Sequence, residues 1–318
     1  MSPHSLAGVF VTADDPAYLE REIDRVPALD LDALDVRALR RTVVEWRGNF
    51  DTSPFDPDGE RLRFYPGGVT IWSGFPGAGK TTALRQLACH LVHRGRSVFV
   101  ASLEELAWQV FHEHARTALA MDDPAENGLQ WCADHWAGKL RISGDDAYAE
   151  PAKLLALLRV LAREHGVRHA IVDSLMCLDV DSRDIEAQRV FANSLALSAR
   201  ATGLHIHLVA HPRKLISAHQ EPDINDVAGS ADLGRKAHNV VFVRRQKDES
   251  AFAQPNLSPM CLSIRKQRYG GQVGDIVGWF DRSWAQFKRQ QFDAAPQKYL
   301  PEDAYRDEWG DRDWGALR

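Results

Sequence analysis

The sequence predicts an α/β domain built on a mostly parallel, twisted sheet that is flanked by helices. Between about positions 62 and 289, short apolar runs alternate with amphipathic helical segments, which is the pattern of β-α-β units. One of these runs leads directly into a glycine-rich loop followed by a helical pattern. The 318 residues are 44% hydrophobic and 26% charged, so the chain has enough apolar material for a large core. The runs that predict strands are 69–72, 98–102, 170–172, 205–210 and 240–243.

Composition divides the chain into three stretches. Residues 1–60 form a charged, proline-broken N-terminal helical or linker region, and residues 61–289 hold the sheet. Within the first stretch, Val36, Leu39, Val43 and Trp46 recur at helical spacing and predict a helix over 32–46. The turn-rich segment 49–59 indicates a linker or an irregular lead-in. Residues 290–318 form a polar, acidic, tryptophan-containing tail, in which we expect little core packing.

Several classes of protein are disfavoured by composition. The sequence has no apolar run of 18 residues and no secretory signal pattern, so we expect no membrane contact and a cytoplasmic location. The four cysteines form no C-x-x-C pair, which argues against a zinc ribbon and against a disulfide framework. The net charge of −5 gives no sign of a globally basic nucleic-acid binder, although a ring can confine basic residues to its channel.

The clearest motif is the glycine-rich loop, which reads GFPGAGKT from Gly74 to Thr81 and satisfies G-x-x-x-x-G-K-[ST] between a predicted strand and a predicted helix over 82–94. Backbone N–H groups at a helix N-terminus bind phosphate, and glycines let the backbone approach it. Lys80 supplies a cation for the β- and γ-phosphates, and Thr81 supplies a hydroxyl for Mg²⁺. We therefore predict a site for ATP, or another triphosphate such as dTTP, with Mg²⁺. Its loop residues are Gly74, Pro76, Gly77, Ala78, Gly79, Lys80, Thr81 and Thr82.

Three polar residues follow other predicted strands and are candidates to complete this site. Asp173 ends the run 167–173 in a Walker B arrangement that holds Mg²⁺, although many parallel strands end in Asp without touching a metal. Glu104 and its neighbour Glu105 follow the run 97–102, where a carboxylate can orient or deprotonate water; acidic residues also favour the first turn of a helix. His211 follows the run 205–210 and can touch the γ-phosphate, or can occupy an ordinary surface turn.

The order of the motifs resembles that of the hexameric replicative helicases of the DnaB superfamily, which have a RecA-like P-loop NTPase core. The resemblance covers about 62–288, and the most similar branch is Twinkle together with the helicase half of phage primase–helicases. After the glycine-rich loop, the segments that carry it read SLEE, IVDS, LVAHPRK, GSADLGRKAHNVVFVRR and IRKQRYGGQVG.

The resemblance implies an ATP-hydrolysing ring that translocates 5′→3′ on single-stranded DNA. It assigns the catalytic carboxylate to Glu104, the Walker B role to Asp173 and the γ-phosphate sensor to His211. Further along the chain, Lys266 and Arg268 correspond to a Lys-x-Arg pair that reaches the ATP of the adjacent subunit, where a guanidinium stabilises transition-state charge. On their own, residues 265–268 are only a basic patch on a strand. The resemblance also places Arg245 and Phe280 against the nucleotide base.

Loops that line the ring channel are expected to bind DNA phosphates through Arg213, Lys214, Arg235 and Lys236. Two departures from the family pattern bear on this prediction. The loop 215–226 carries acidic residues and no lysine or arginine, and Ala228 stands where some phage relatives place an arginine.

Other roles stay open from the sequence. A second class of function is a RecA-fold, DNA-dependent ATPase that acts as a recombination mediator, loader or assembly factor without unwinding. The predicted helix over 32–46 either packs on a neighbouring subunit of a ring or caps its own core. The tail 301–318, with six acidic residues against three arginines, either docks a polymerase or primase or is a solvated end.

Overall fold

The computed structural model describes residues 48–143, 150–178, 184–212, 221–227, 231–245, 256–289 and 295–302, together with residues 43 and 304. The chain divides into two compact units, Met1–Asn49 and Phe50–Arg318. The helix predicted over 32–46 lies outside the described residues except for Val43, which is helical. The account below concerns the second unit.

The strands of the described ranges form one large sheet and one small β-ribbon. The ribbon pairs β1 (Asp51–Thr52) with β2 (Arg63–Phe64). In the described residues the large sheet has nine strands, in the order β11-β10-β9-β8-β3-β7-β6-β4-β5. Its strands are β3 (Val69–Ser73), β4 (Val98–Ser102), β5 (Leu140–Ser143), β6 (His169–Asp173), β7 (His205–Val209), β8 (Asn239–Arg245), β9 (Leu257–Gln267), β10 (Gly274–Asp281) and β11 (Gln286–Lys288).

Helices connect the parallel strands. They are α1 (Lys80–His93), α2 (Ala107–Leu119), α3 (Glu126–Trp136), α4 (Pro151–Glu164), α5 (Ile185–Thr202) and α6 (Ala231–Lys236), with short 3₁₀ turns at Leu175–Cys177 and Ile224–Asp226. Across the described ranges, no helix has both the length and the apolar character needed to cross a membrane.

The strands from β8 to β5 run parallel, and β9, β10 and β11 extend the sheet by antiparallel pairing. Both faces of the parallel part are buried: Trp72 belongs to one apolar cluster and the preceding Ile71 to the other, because successive residues of a strand point to opposite faces. Strands covered on both sides read as continuous apolar runs. This is the reason that the sequence revealed them, and the predicted α/β fold class is confirmed.

The two ends of the unit pack more closely than the sequence suggests. Phe55, in the segment expected to be a linker or lead-in, is fully buried and meets the ring of Phe287 edge-on at 5.1 Å. Near the other end, Tyr299 and Leu300 lie in the same apolar cluster. The expectation of little core packing after position 290 is therefore wrong for residues 299, 300 and 304. The polar residues around Tyr299, Leu300 and Ala304 masked the sequence signal of this short buried segment.

Buried histidines form a hydrogen-bonded row across neighbouring strands of the sheet. Trp72 Nε1–H donates to His207 Nδ1 at 3.3 Å, and an indole is a donor only. The remaining N–H of His207 then faces His169 Nδ1 at 3.1 Å, and His169 Nε2 donates to Asp51 at 3.0 Å. Arg96 binds the other oxygen of Asp51 at 2.6 Å. The row thus requires neutral imidazoles, each with one defined tautomer, and it ties β1 to the three central strands.

A second row runs alongside the first. Asn239 donates to Thr70 Oγ1 at 2.9 Å, the Thr70 hydroxyl lies 2.8 Å from His205 Nε2, and His205 Nδ1 donates to the carbonyl of Tyr65 at 2.7 Å. The donors of this row have acceptors, whereas the buried Oδ1 of Asn239 has no hydrogen-bond partner among the described residues. Together the two rows link β3, β6 and β7, which end at the candidate site, by polar contacts as well as by apolar packing.

Candidate nucleotide site

The glycine-rich loop joins β3 to α1 at the carboxyl edge of the parallel strands. Gly74 has φ +149°, and a Cβ atom built on it would lie 2.3 Å from the carbonyl oxygen of Val243. Gly79, the residue before α1, has φ +98°. Both positions therefore require glycine, and the loop places backbone N–H groups at the N-terminus of a 14-residue helix, which favours phosphate.

Lys80 is held inside this loop. Its ammonium donates to the carbonyl oxygens of Gly74 at 2.8 Å and Phe75 at 3.1 Å. Burial lowers the pKa of Lys80, while the charges of Asp173 and Glu104 oppose that shift. The lysine therefore lies within electrostatic reach of both predicted carboxylates.

Asp173 and Thr81, the two residues predicted to bind Mg²⁺, are in contact. The Thr81 hydroxyl donates to Asp173 Oδ2 at 2.7 Å. Burial raises the pKa of Asp173, and the Thr81 hydrogen bond acts against it. Hydroxyl and carboxylate oxygens are ligands that Mg²⁺ prefers, and Mg²⁺ commonly keeps waters and phosphate oxygens as its other ligands. The two residues fit that ion. The described ranges contain no cluster of three or more His, Cys, Asp or Glu side chains able to hold a metal without such help.

The turn after β4 separates the two candidate carboxylates. Both oxygens of Glu105 are engaged by Arg85 of α1, at 2.6 and 2.7 Å. Glu104 is exposed, and its Oε1 accepts from the hydroxyl of Ser174 at 2.8 Å. Because Glu105 is occupied by an ion pair, Glu104 is the carboxylate of this turn that can face a bound nucleotide.

His211 follows β7 next to the loop. The N–H of Ala210 donates to the Trp72 carbonyl at 2.9 Å, which holds the end of β7 beside the end of β3. Burial and then the charge of Lys80 lower the pKa of His211, while the charge of Glu104 raises it. The imidazole therefore shares one electrostatic environment with both groups.

Lys266 and Arg268 lie at the opposite edge of the sheet. Gln267 pairs with Asn239, which pairs with Thr70 near the start of β3. The four residue steps from Thr70 to Gly74 span about 13 Å of strand, so neither cation is near its own glycine-rich loop. Instead Lys266 Nζ donates to the carbonyls of Gly234 and Arg235 at the end of α6, at 2.9 and 2.8 Å.

The same carbonyl binds the second cation. Arg268 Nη2 donates to the carbonyl of Arg235 at 3.1 Å. Burial lowers the pKa of Lys266 to about 8, and the charge of Arg268 adds to the shift. Two cations thus lie side by side, and among the described residues neither of them forms an ion pair with a carboxylate.

The predicted base-contacting residues lie on the loop side of the sheet. Arg245 pairs with Met260, and Phe280 pairs with Ser258, both beyond the level at which Ser73 pairs with Phe242. Arg245 is exposed. A polar pocket at this edge contains Phe280 in its lining. The pocket is lined by Thr82, Arg85, Glu113, Arg116, Thr117, Asp122, Phe280, Arg282 and Ala285.

The chain is similar in sequence to known proteins over much of its length. Residues 61–216 match a family model described as an AAA domain. Over 248 residues the chain is 25% identical to "Twinkle homolog protein, chloroplastic/mitochondrial" of Arabidopsis thaliana, a match that covers 69% of this chain and 33% of that relative. The chain therefore spans about a third of the length of this curated relative.

Two solved structures share the fold. One is an isolated ATPase domain, which aligns with a TM-score of 0.66 at 16% identity, covering 83% of this chain and 100% of that one. "The Structure Of A DnaB-Like Replicative Helicase And Its Interactions With Primase" aligns with a TM-score of 0.67 at 17% identity, covering 85% and 70%. The chain is therefore similar to the ATPase domains of DnaB-like helicases. Its fold is that of a RecA-like P-loop domain, and the AAA-domain match implies nucleotide binding.

The predicted DNA contacts lie only partly within the described residues. Arg235 and Lys236 are exposed at the end of α6. Arg213 and Lys214 lie outside the described residues, as does Ala228. The described part of the acidic loop, residues 221–227, carries Glu221, Asp223 and Asp226.

Sequence reasoning missed two residues of the site. Ser174, the residue after the Walker B aspartate, contacts Glu104, and Arg85 binds Glu105. Arg85 lies four residues after Thr81 on α1, which is the helical spacing of one face, so that signal was present in the sequence. For Ser174 no pattern was available, because its contact joins residues 70 positions apart.

Proposed function

We propose that this chain is an ATP-hydrolysing, ring-forming replicative DNA helicase that translocates 5′→3′ on single-stranded DNA. The observation that carries the proposal is the division of the site between two edges of one sheet. Lys80, Asp173 and Glu104 gather at the glycine-rich loop, whereas Lys266 and Arg268 lie about 13 Å of strand away from it. A cation so placed is too far away to reach the nucleotide of its own chain, and we propose that it serves the nucleotide of another copy.

In this proposal the loop binds the triphosphate, and Lys80 stabilises the charge on its β- and γ-phosphates. Glu104 accepts a proton from water as the water oxygen bonds to the γ-phosphorus. The bond from that phosphorus to the bridging oxygen breaks, and its electron pair leaves with the diphosphate. Mg²⁺, held by Thr81 and Asp173, supplies further charge neutralisation when bound. We assign the sensing of the γ-phosphate to His211, whose pKa is lowered by burial and by the charge of Lys80.

A second copy completes the reaction. Arg268 of the neighbouring subunit stabilises the charge that develops on the transferred phosphoryl group, with Lys266 beside it. Hydrolysis then depends on assembly, because the group that stabilises the transition state comes from the next subunit. Repeated head-to-tail contacts of this kind form a ring when the rotation between neighbouring subunits closes on itself, and a hexamer is the ring we propose.

DNA would pass through the channel of that ring. We assign the phosphate contacts to Arg213, Lys214, Arg235 and Lys236, which would bind without sequence preference and with strong salt dependence. The base of the nucleotide, ATP or another triphosphate, would stack near Phe280 and Arg245. The charged tail beyond Ala304 would hold a polymerase or a primase. A cytoplasmic location belongs to the same proposal.

The acidic loop favours a second candidate, a RecA-fold ATPase that loads or remodels a DNA complex without unwinding. Its described part holds three carboxylates and no lysine or arginine in residues 221–227. Such a loop weakens the case for a channel that tracks DNA, without affecting the nucleotide site.

A forked-duplex assay separates the two candidates. Forks with a 5′ tail, a 3′ tail or both are incubated with the protein and ATP, and strand separation and phosphate release are measured together. The helicase proposal requires separation of forks that carry a 5′ single strand. DNA-stimulated hydrolysis without separation of any fork would support the second candidate and contradict the first.

The tail proposal needs its own truncation. Because Tyr299 and Leu300 are buried in the core, a deletion that tests docking must begin after Ala304. Partner capture that persists unchanged in the 305–318 deletion would contradict a docking role for the tail.

A further inference from the structure

The environment of Glu104 contains a polar group to which the proposed reaction assigns no role. Ser174 follows Asp173 at the end of β6, and its side chain is fully buried. Its hydroxyl donates to Glu104 Oε1 at 2.8 Å. A buried hydroxyl aimed at an exposed carboxylate leaves one carboxylate oxygen anchored and the other directed outward.

The backbone around this contact is fixed on both sides. Ser102 of β4 pairs with Asp173 of β6, and the N–H of Leu103 donates to the Asp173 carbonyl at 2.8 Å. The turn that contains Glu104 is therefore joined to the residue before Ser174 by the backbone hydrogen bonds that pair β4 with β6. Arg85 holds the adjacent Glu105 from the opposite side, so the turn is clamped between β6 and α1.

We propose that the Ser174 hydroxyl is a positioning group for hydrolysis, which holds Oε1 of Glu104 so that Oε2 receives the proton of the attacking water. Among the described residues, no hydrogen bond to Oε2 is found, and the carboxylate is exposed at the site. The inference rests on the proposed role of Glu104 as the catalytic carboxylate. Ser174 is fully buried, so its proposed role is to act through Glu104 and not on the nucleotide itself.

Cys177 contributes less to this anchor. Its sulfur lies 3.6 Å from the same Glu104 oxygen and 3.8 Å from the Ser174 hydroxyl. A thiol is a weak donor, so Cys177→Ala is expected to lower turnover by less than about twofold, well below the loss of a full hydrogen bond. The hydroxyl is the group that fixes the carboxylate.

The test uses a matched pair of substitutions in the full chain. Ser174→Thr keeps the hydroxyl and Ser174→Val replaces it with a methyl group of similar size, so both variants add the same volume to a buried position. Steady-state ATP hydrolysis should show kcat about tenfold lower for Ser174→Val than for Ser174→Thr, the effect of losing one hydrogen bond to a charged group. The KM for ATP should stay the same, because the contact does not touch the phosphates.

Controls separate positioning from folding. Ser198→Ala removes another buried hydroxyl, which accepts from Arg159 at 3.0 Å far along α5, and should leave kcat unchanged. Thermal unfolding midpoints are measured for every variant. If the larger side chains disturb the fold, Ser174→Ala removes the hydroxyl without adding volume, and wild-type turnover by that variant would overturn the inference.

A double substitution decides whether Ser174 acts through Glu104. In a Glu104→Gln background, Ser174→Val and Ser174→Thr should have the same residual turnover. The inference is overturned if the Val and Thr variants turn over ATP equally in the wild-type background, or if the Val variant lowers the residual rate of Glu104→Gln by the full factor. Wild-type turnover by Glu104→Gln alone would instead refute the proposed role of Glu104.

Discussion

Mild acid should destabilise this domain because it buries neutral histidines. Burial lowers the pKa of His114 to about 4 and that of His205 to about 3, from an ordinary value of 6.5. The unfolded chain then binds protons that the folded domain does not. Since both folded-state pKa values are depressed, the stability that these residues contribute is present above pH 6.5 and is lost as pH falls from there toward 4 and 3.

The magnitude for one residue follows from proton uptake. At pH 5 nearly every unfolded imidazole is protonated, whereas the buried His114 is mostly neutral. Between pH 7 and pH 5 this difference lowers the free energy of unfolding by roughly 2 kcal/mol per buried histidine. Burial also lowers the pKa of His169 and His207, so the total loss reaches several kcal/mol, a large part of an ordinary domain's stability.

The variant His114→Leu isolates one of these protons. His114 lies in the core on α2, where its Nδ1 donates to the Val110 carbonyl at 2.6 Å. Urea unfolding monitored by circular dichroism at pH 7, 6 and 5 gives the free energy of unfolding for each protein. From pH 7 to pH 5, wild type should lose roughly 2 kcal/mol more than His114→Leu.

A matched control replaces a histidine on the surface. His165, at the end of α4, is exposed, and His165→Gln should show the same pH dependence as wild type. Equal pH dependence in wild type and His114→Leu would refute the reasoning, because it would mean that His114 binds its proton as readily in the folded domain as in the unfolded chain.

The remaining predictions concern the nucleotide site. Lys80→Ala should abolish turnover because it removes the cation of the phosphate site, which an ATPase assay checks. Arg268→Ala should abolish turnover but leave nucleotide affinity largely intact, measured by binding of a fluorescent analogue, since in the proposed ring its guanidinium acts on a neighbour's phosphates. Gly74→Ala should lower the free energy of unfolding by about 1–3 kcal/mol in urea, because its Cβ would lie 2.3 Å from the Val243 carbonyl oxygen. Normal turnover by Lys80→Ala, lost binding in Arg268→Ala, or unchanged stability in Gly74→Ala would contradict the respective account.

Much of the fold could be predicted because its signals are local. The parallel strands are buried on both faces and read as apolar runs, and the loop from Gly74 to Thr81 has the spacing of a phosphate site between a strand and a helix. Asp173 and Glu104 could be placed for the same reason, since the carboxyl ends of parallel strands meet at one edge.

What the sequence could not predict depends on long-range contacts. The buried row from Trp72 through His207 and His169 to Asp51 joins residues far apart in the chain, and a histidine in an apolar run gives no sign of its partner. Likewise, only the fold shows that Tyr299 anchors part of a polar tail in the core. Glu104 is distinguished from Glu105 as the candidate catalytic carboxylate only by the fold, because Arg85 forms an ion pair with Glu105.

In the proposed ring each nucleotide site is shared between two copies of the chain, and mixing two inactive variants measures this sharing. Lys80→Ala keeps the trans cations but lacks a working loop, and Arg268→Ala keeps the loop but lacks the cation that it would donate. Co-assembled in equal amounts, about one quarter of the interfaces in a randomly mixed ring combine the intact loop with the intact arginine. The account predicts DNA-stimulated ATP turnover in the mixture, up to about that fraction of wild type, where each variant alone has none. Turnover no greater than the sum of the separate variants would contradict it.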